Sequence, residues 1–483
     1  MMKPTVEPAA PPVQASFGID LRQQRLSLWD TTSIIIGIVV GTTIFRSPSL
    51  VFQNVAGPWQ ALAVWLLGGV LCIFGAFCYA ELATTYPRNG GDYEYLSRAY
   101  GRWMGFLFGW AQLAVILTGS IGIMAYAFAD YAAALWNLPL EAAAWLAAAA
   151  VAVLTVLNLF GLAVGKSLQN VLTAAKILGL LVIVIAGFAR GRGDVFLPGR
   201  GPAGLMDGNL GLALVFVLYA YGGWNDAVFV AAEVRDQRRN LPRALIFGIG
   251  GITAVYLAVN AAYLAVLGFE AARQTPTPAA AVLDLALGPI GGKLISLMVM
   301  VSALGAINGL ILAGSRVYAV VGEDHRLFAW LGRWNSKAAA PITSLLAQAA
   351  IALVLIFAVG TPQGRGWVDG ALTQVGIGRI PWEQYFGGFD TLLAGSAPVF
   401  WLFFLLTGIS LFVLRIRDPG RERGFAIPWF PLPPIVFCAT CLYMLYSSLD
   451  YARFLTLLGV VPLLVGLPMY GVSAWLAKRG RAG

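Results

Sequence analysis

Two short stretches decide how this chain folds: GIVVGTTIF, from Gly37 to Phe45, and YAYGGWN, from Tyr219 to Asn225. Each lies inside an apolar run of about 20 residues or more, which is enough to cross ~30 Å of hydrocarbon as a helix. Each also places glycines where that helix would continue, and a glycine weakens a helix by roughly 1 kcal/mol relative to alanine. Non-helical backbone is tolerated in lipid only where it lines a cavity or is buried in protein. The two stretches therefore predict two interrupted spans that face a cavity.

The composition of the whole chain is that of a polytopic all-α membrane protein. Of 483 residues, 59% are hydrophobic and 11% charged, and the mean hydropathy is +0.76, whereas soluble domains carry about 25% charged residues. The net charge of +9 does not indicate nucleic-acid binding, because the basic residues lie between apolar runs rather than in patches with stacking aromatics. With one histidine, His325, and four cysteines inside apolar runs, we expect no metal site, no catalytic residues and no cofactor.

Twelve apolar runs are long enough to span the bilayer. They cover roughly residues 29–54, 59–83, 104–135, 142–162, 167–189, 209–232, 243–268, 287–320, 341–359, 391–414, 429–448 and 455–477. Residues 1–28 and 478–483 are predicted to be tails. An interrupted first span and an interrupted sixth span, five spans apart, indicate two inverted repeats with a binding site at the midplane.

The distribution of Lys and Arg predicts the orientation, because cytoplasmic connections carry the excess of these residues. One set of connections and both tails hold most of them, including Arg235 to Arg243 and Arg415 to Arg423. Both termini are therefore expected on the cytoplasmic side of a plasma membrane. Residues 360–390 form an unusually long external loop, which we interpret as an insertion, with a partial lid as the alternative.

The chemistry of the two breaks favours a zwitterionic solute. A half-helix that begins after a break offers free N–H groups and a positive dipole end, which suit a carboxylate. Carbonyl groups at the end of the preceding half-helix suit an ammonium group. The alternative is that these glycines only allow helices to approach closely, as small residues do in membranes.

Further motifs resemble those of a known family. They are YAEL at Tyr79–Leu82, PRNGGDYEYL at Pro87–Leu96, NLPR at Asn240–Arg243, SALGAING at Ser302–Gly309 and the pairs Glu233-Val234 and Ser315-Arg316. With the two broken stretches, they resemble the amino acid–polyamine–organocation superfamily, and its L-type amino acid transporter branch in particular. The resemblance extends from about residue 24 to the C-terminus.

This resemblance implies a fold and a set of binding groups. The fold is a core of two inverted five-helix repeats (the LeuT-like arrangement), spanning residues 29–189 and 209–359 and completed by 391–414, with two peripheral helices in 429–477. Backbone groups of Gly41, Thr42 and Thr43 would bind the carboxylate, and Ile44 would line the pocket beside them. Carbonyls near Gly37, Val40, Tyr219, Ala220, Tyr221 and Gly222 would bind the amine. Tyr219 falls at the position of an external aromatic gate, and Asn225 at that of a polar pocket residue.

The sequence departs from the family pattern at two places. The family's Gly-Ser-Gly or Gly-Ala-Gly is Gly41-Thr42-Thr43 here, and a β-branched residue stiffens and fills the turn, which favours a smaller or differently shaped substrate. The external connection from Leu135 to Glu141 has no cysteine, so no disulfide-linked accessory subunit is expected. The chain resembles a stand-alone bacterial transporter.

Charged residues inside the spans are costly and usually functional. Lys176 lies about nine residues into the fifth span, roughly 13 Å deep at 1.5 Å per residue. It resembles a lysine whose ammonium replaces sodium in sodium-independent members, with Ser302 and the Gly37 carbonyl as neighbours; the alternative is an interfacial lysine. Arg46 is expected in an external vestibule. Asp226 could select a cation, carry a proton or bind a structural partner.

These features predict a secondary transporter of amino acids that works by alternating access. Two coupling modes stay open, sodium-independent exchange and proton symport. A polyamine or organic-cation transporter of the same fold is the nearest alternative. A non-transporting membrane sensor is a more distant one, because both tails are too short for a signalling domain.

Overall fold

The computed structural model describes residues 25–479, except residues 140, 192–208, 276, 375, 377 and 383–386. The tails 1–24 and 480–483 and most of the connection 190–208 lie outside the described residues. The α-helices of the described part are α1 (Leu28–Val39), α2 (Thr43–Gln53), α3 (Pro58–Thr85), α4 (Asp92–Tyr100), α5 (Arg102–Ala111), α6 (Leu117–Trp136), α7 (Ala142–Leu159), α8 (Leu162–Arg190), α9 (Leu210–Ala220), α10 (Gln237–Leu267), α11 (Phe269–Gln274), α12 (Pro278–Leu287), α13 (Ile290–Asp324), α14 (Ile342–Gly360), α15 (Pro362–Gln374), α16 (Gly387–Arg417), α17 (Leu432–Ala452) and α18 (Thr456–Arg479). A π-helix over Gln112–Ile116 joins α5 to α6, and 3₁₀-helices cover Trp224–Glu233, Arg326–Phe328 and Arg453–Leu455.

The described residues contain twelve crossings, the number that the sequence predicts. Ten helical stretches are long and apolar enough to span a membrane, and α1 with α2, bent by 53°, forms an eleventh span. One of the ten, Leu432–Arg479, has 48 residues, which as a single helix would be about 72 Å long. The backbone turns at Arg453, where φ is 45°, so α17 and α18 cross separately. The chain is thus an all-α polytopic membrane protein, as expected.

The fifth span begins earlier than its hydropathy indicates. α8 starts at Leu162 rather than near residue 167, because Gly161 has φ 111° and the Leu162 amide donates to the carbonyl of Ala338 (3.0 Å). Lys176 is therefore fourteen residues into the helix, about 21 Å along it.

The connection predicted as an external loop, residues 360–390, contains a helix. α15 occupies Pro362–Gln374 and packs on α14. Asp369 of α15 holds the segment that follows the helix. The Asp369 carboxylate accepts from the Ile380 amide and from the Trp382 indole, both at 3.0 Å.

The bent first span lies at the centre of the helix packing. α1 contacts α8, α10, α13 and the 3₁₀-helix Trp224–Glu233, whereas α17 and α18 pack against α16. The chain just before α1 is held by the sixth span: the Leu26 amide donates to the Glu233 carbonyl (3.0 Å), and the Arg235 amide donates to the Leu26 carbonyl (2.9 Å). We call this pairing of Leu26 with Val234 the terminal bridge, and the side of the molecule on which it lies the terminal side.

Candidate functional site

The first break unwinds three residues between α1 and α2. Val40 leaves the helix with φ −74° and ψ 71°, and α2 resumes at Thr43. Gly37, one turn earlier, lies so close to α8 that a Cβ atom there would overlap the side-chain amide of Gln169. The close contact with α8 and the flexible Gly41 explain why the helix ends here.

The second break lies directly against the first. α9 ends at Ala220, and Gly223 has φ 96°, a conformation that residues with a side chain rarely adopt. A Cβ atom on Gly223 would be 2.6 Å from Cγ2 of Ile38 in α1. The structure thus brings together the two stretches from which the sequence analysis starts.

Tyr256 of α10 joins the two breaks, a role that its sequence context does not indicate. Its hydroxyl lies 3.2 Å from the Val39 carbonyl and 3.1 Å from the Ala220 carbonyl, so its single proton is shared between the last turns of both half-helices. Tyr256 and Tyr263 occur in the same apolar run, and no local signal separates them.

Lys176 binds the end of α1. Its ammonium donates to the carbonyls of Gly37 (2.7 Å), Val40 (2.8 Å) and Ser302 (3.1 Å), and the residue is 2% exposed. An ammonium group has three protons, so these acceptors satisfy it. The Ser302 hydroxyl lies 2.8 Å from the Val40 carbonyl and 2.9 Å from that of Gly41. Together they tie α8 and α13 to the first break.

Several groups at the breaks have no hydrogen-bond partner among the described residues. Thr42 Oγ1 and Asn225 Oδ1 are buried and unbonded, while Asn225 Nδ2 donates to Asp226 at 3.2 Å. Ile44 is buried and Thr43 partly exposed in the first turn of α2, where amide groups have no acceptor within the helix. These groups remain available to a ligand.

Other predicted site residues are already engaged. The Gly37 and Val40 carbonyls, assigned to the amine of the substrate, accept from Lys176, and the Ala220 carbonyl accepts from Tyr256. Each carbonyl has a second lone pair, so their role toward a substrate stays a prediction. Tyr221 donates its hydroxyl to the Trp65 carbonyl at 3.2 Å and so binds α3.

The side opposite the terminal side is more open. Tyr219 is partly exposed, and its ring lies nearly perpendicular to that of Trp401, with centroids 6.3 Å apart. Arg46 is exposed over the ring of Phe389 (5.3 Å) and interacts electrostatically with Asp130 and Asp390. Gly222, at the break itself, is also partly exposed.

Ion pairs close the terminal side. Glu233 pairs with Arg316 at 2.9 Å, and both are buried. Arg88 binds Asp324 at 2.9 Å and Glu94 at 3.2 Å. Glu81, at the terminal end of α3, accepts from Arg415 at 2.7 Å and 2.5 Å. Glu81 and Glu233 therefore belong to separate ion pairs, each with a different arginine.

His325 follows α13 on this side and packs among aromatic rings. Its ring centroid is 4.9 Å from that of Phe106 and 6.2 Å from that of Tyr470. Burial lowers the pKa of His325 to about 4, so the imidazole is neutral at physiological pH. Within the described residues, no group of three or more His, Cys, Asp or Glu side chains could hold a metal ion.

Comparison with known proteins gives a consistent result across nearly the whole chain. The family described as amino acid permease matches residues 26–463. A serine/threonine exchanger of Bacillus subtilis (strain 168) is 28% identical over 93% of this chain and 96% of its own length. The b(0,+)-type amino acid transporter 1 of Homo sapiens is 31% identical over 84% of this chain and 79% of its own. The cystine/glutamate transporter of Homo sapiens is 27% identical over 93% of this chain and 85% of its own. The chain belongs to the amino acid permease family.

Proposed function

We propose that this protein transports small neutral amino acids across the plasma membrane by alternating access, independently of sodium. The relatives named above are amino acid transporters or exchangers, which supports the class of substrate. The excess of Lys and Arg on the terminal side supports cytoplasmic termini. The absence of cysteine from Leu135 to Glu141 supports a transporter that works without a disulfide-linked subunit.

One observation carries this proposal: the two broken spans meet at one place, and a buried lysine supplies the positive charge there. The end of α1 presents several carbonyl oxygens, the arrangement by which unwound backbone binds a cation in related folds. Lys176 fills that position with its own ammonium, bound to Gly37, Val40 and Ser302. A cation that belongs to the protein removes the need for a bound sodium ion.

The free groups at the breaks match a small polar zwitterion. The first amides of α2, at Thr42 to Ile44, suit a carboxylate. Thr42 Oγ1 and Asn225 Oδ1, both buried and unbonded, suit the amine or a side-chain hydroxyl. Because Thr42 and Thr43 occupy space that glycine would leave open, we expect serine, threonine and alanine rather than large aromatic amino acids.

Uptake by purified protein in proteoliposomes tests the proposal. A panel of labelled amino acids would be compared with labelled putrescine and spermidine, in sodium and in choline buffers, with and without unlabelled substrate inside. We expect uptake of small neutral amino acids at equal rates in both buffers. Uptake of none of the amino acids, with or without internal substrate, would contradict the function, and a strong requirement for sodium would contradict the role of Lys176.

A polyamine or organic-cation transporter is the second candidate, and the buried Asp226 favours it. A carboxylate at the sixth-span break would suit a cationic cargo. The same panel separates the two functions, because uptake of putrescine or spermidine without uptake of neutral amino acids would support this alternative.

A further inference from the structure

Asp226 is a buried acid beside the sixth-span break for which the transport cycle described above has no use. The residue is 6% exposed, and its Oδ1 accepts from Nδ2 of its neighbour Asn225. No lysine or arginine among the described residues forms an ion pair with it. Arg316, the buried cation on the adjacent α13, is occupied by Glu233.

A second buried acid, Asp92, follows a loop that packs against the sixth span. Asp92 begins α4, is 2% exposed and accepts at Oδ1 from the hydroxyls of Tyr79 and Thr407, while its Oδ2 is buried without a partner. The loop before it is fastened to the sixth span, since the Gly90 amide donates to the Phe229 carbonyl at 3.1 Å. A Cβ atom on Gly91, directly before Asp92, would lie 2.6 Å from Cγ2 of Val228, which is two residues after Asp226, so the two acids lie on segments that touch. No described cation pairs with Asp92 either.

We propose that Asp226 and Asp92 together form a proton-binding site, and that the proton they hold is bound and released once in each transport cycle. This inference rests on the proposed function, since it names the ion coupled to the amino acid. Two carboxylates in one buried region cannot both stay ionised without a cation, so such a pair retains a proton and titrates as a unit. The proton enters from the water on one side of the membrane and leaves to the water on the other.

The elements packed against the 3₁₀-helix that carries Asp226 also hold other titratable and charged groups. They are Tyr79 of α3, Tyr256 of α10, Tyr318 of α13, Asp30 of α1, which binds Lys166 and Asn170, and the pair Glu233–Arg316. Lys176 of α8 lies at the end of α1, where it is bound to three carbonyls. Tyrosines ionise near pH 10, and Asp30 and Glu233 have cationic partners. Burial raises the pKa of Asp92, between the second and third spans, to about 6.

The location of the pair explains how transport could release the proton. Asn225 joins Asp226 to the substrate pocket, and Asp92 lies at the base of α4, beside the ion pairs of the terminal side. When these pairs separate to open that side, water reaches the carboxyl groups. Hydration stabilises the ionised form, so the proton leaves together with the substrate.

The test measures protons and amino acid in the same proteoliposomes. An entrapped pH dye reports the lumen after addition of the best substrate of the panel, with no substrate inside and no sodium. We expect the lumen to acidify, the signal to collapse with a protonophore, and an inward pH gradient of one unit to raise uptake severalfold. Asp226→Asn should keep exchange of labelled for unlabelled substrate and lose at least four-fifths of this stimulation, and Asp92→Asn should lose part of it. The exposed Asp284→Asn is the matched control, in which stimulation should be unchanged.

The following results would contradict the proposal that Asp226 and Asp92 form the proton site. Exchange without lumen acidification in the wild type would overturn the proton site and leave the proposed function intact, whereas absence of all amino acid uptake would overturn the function itself. Full stimulation in Asp226→Asn would remove the residue from coupling. Loss of uptake of cationic substrates alone in that variant would assign Asp226 to the cargo instead. If Asp226→Asn does not elute as a folded species, acidification by the wild type and stimulation in Asp92→Asn decide the question.

Discussion

Lys176 is the single side chain on which the site depends most. Replacing it with methionine keeps a long apolar stem and removes three hydrogen bonds, to Gly37, Val40 and Ser302. A hydrogen bond to a charged group contributes about 1.5–3 kcal/mol, so we expect Lys176→Met to lower the uptake rate at least tenfold, with no recovery in sodium. The exposed Lys293→Met on α13 is the control, and uptake in Lys176→Met equal to that of this control would contradict the role.

Substitutions of Tyr219 test whether its ring forms the external gate. If its ring covers the substrate, Tyr219→Ala should reduce uptake strongly, while Tyr219→Phe should retain most of it, because the hydroxyl has no partner and the ring supplies the contact with Trp401. Initial uptake rates at matched amounts of purified protein measure the difference. Normal uptake in the alanine variant would exclude Tyr219 from the gate.

The lowered pKa of His325 predicts how the stability of the folded protein depends on pH. Its pKa is about 4 in the folded protein and about 6.5 when unfolded, so between these values only the unfolded state binds the proton. Stability is therefore lost as the pH falls from 6.5 toward 4, by about 2 kcal/mol at pH 5. Thermal unfolding in detergent at pH 7 and pH 5 should show a smaller acid-induced loss for His325→Phe, since a phenyl ring fits among Phe106 and Tyr470. An equal loss in both proteins would contradict the assignment.

The sequence revealed those site residues whose chemistry is unusual for their surroundings. Lys176 is a charge in an apolar run, and glycines such as Gly223 interrupt a helix; both features can be read without a structure. Tyr256 could not be recognised, because its role depends on the packing of α10 against two carbonyl groups from distant parts of the chain.

At the scale of the helices, the glycines at the breaks differ in whether a larger side chain can replace them. Gly223 has φ 96° and touches Ile38, so Gly223→Ala combines strain with overlap and should destabilise the fold. Gly222 has only the Tyr219 carbonyl near a Cβ position, at 3.3 Å, so Gly222→Leu should fold and fill the pocket. We expect Gly222→Leu to elute as a monodisperse species in detergent without substrate binding, and Gly223→Ala to show a lower yield of folded protein.

Gly251→Ala is the control for both variants, since nothing lies within 4 Å of a Cβ atom there. It should bind substrate normally. Substrate binding by Gly222→Leu at wild-type affinity would show that the cavity is not at this break.

Hydropathy predicted which helices exist but not where each begins. α8 begins at Leu162, five residues before its predicted apolar run, and the first turns include Lys166, which pairs with Asp30 of α1 at 3.2 Å. A polar side chain with an internal partner is tolerated in a span, yet it lowers the hydropathy of the sequence. The same limit concealed α15, in which three glycines and five polar or charged residues interrupt the apolar ones.

For the molecule as a whole, the terminal bridge predicts that transport requires Leu26 and Val234 to separate. Paired strands lie about 4.8 Å apart, within the Cα separation that a disulfide allows. The double variant Leu26→Cys with Val234→Cys should therefore form a disulfide on oxidation, lose uptake, and regain it with a reductant. Each single variant is the control for the native cysteines, of which Cys72, Cys78 and Cys441 are buried and Cys438 is partly exposed. Unchanged uptake in the oxidised double variant would show that this side need not open there.

The number of crossings and the two breaks followed from the sequence because the bilayer imposes length and hydrogen bonding on every span. How the helices pack, and hence which acids lie together, depends on contacts between residues far apart in the chain. Asp92 and Asp226 occur 134 positions apart, and no periodicity connects them.

The bend of the first span has a consequence for how the protein is made. The carbonyl groups at the end of α1 are bound by Lys176, 139 or 136 residues later, and by Ser302, 262 residues after Val40. At 5–20 residues per second, the ribosome needs on the order of tens of seconds to synthesise those partners. Until then the unwound carbonyls would lie in lipid without donors, so we expect the nascent first span to be a straight helix. It bends only when the fifth and eighth spans have been inserted, and the binding site is therefore among the last parts of the protein to form.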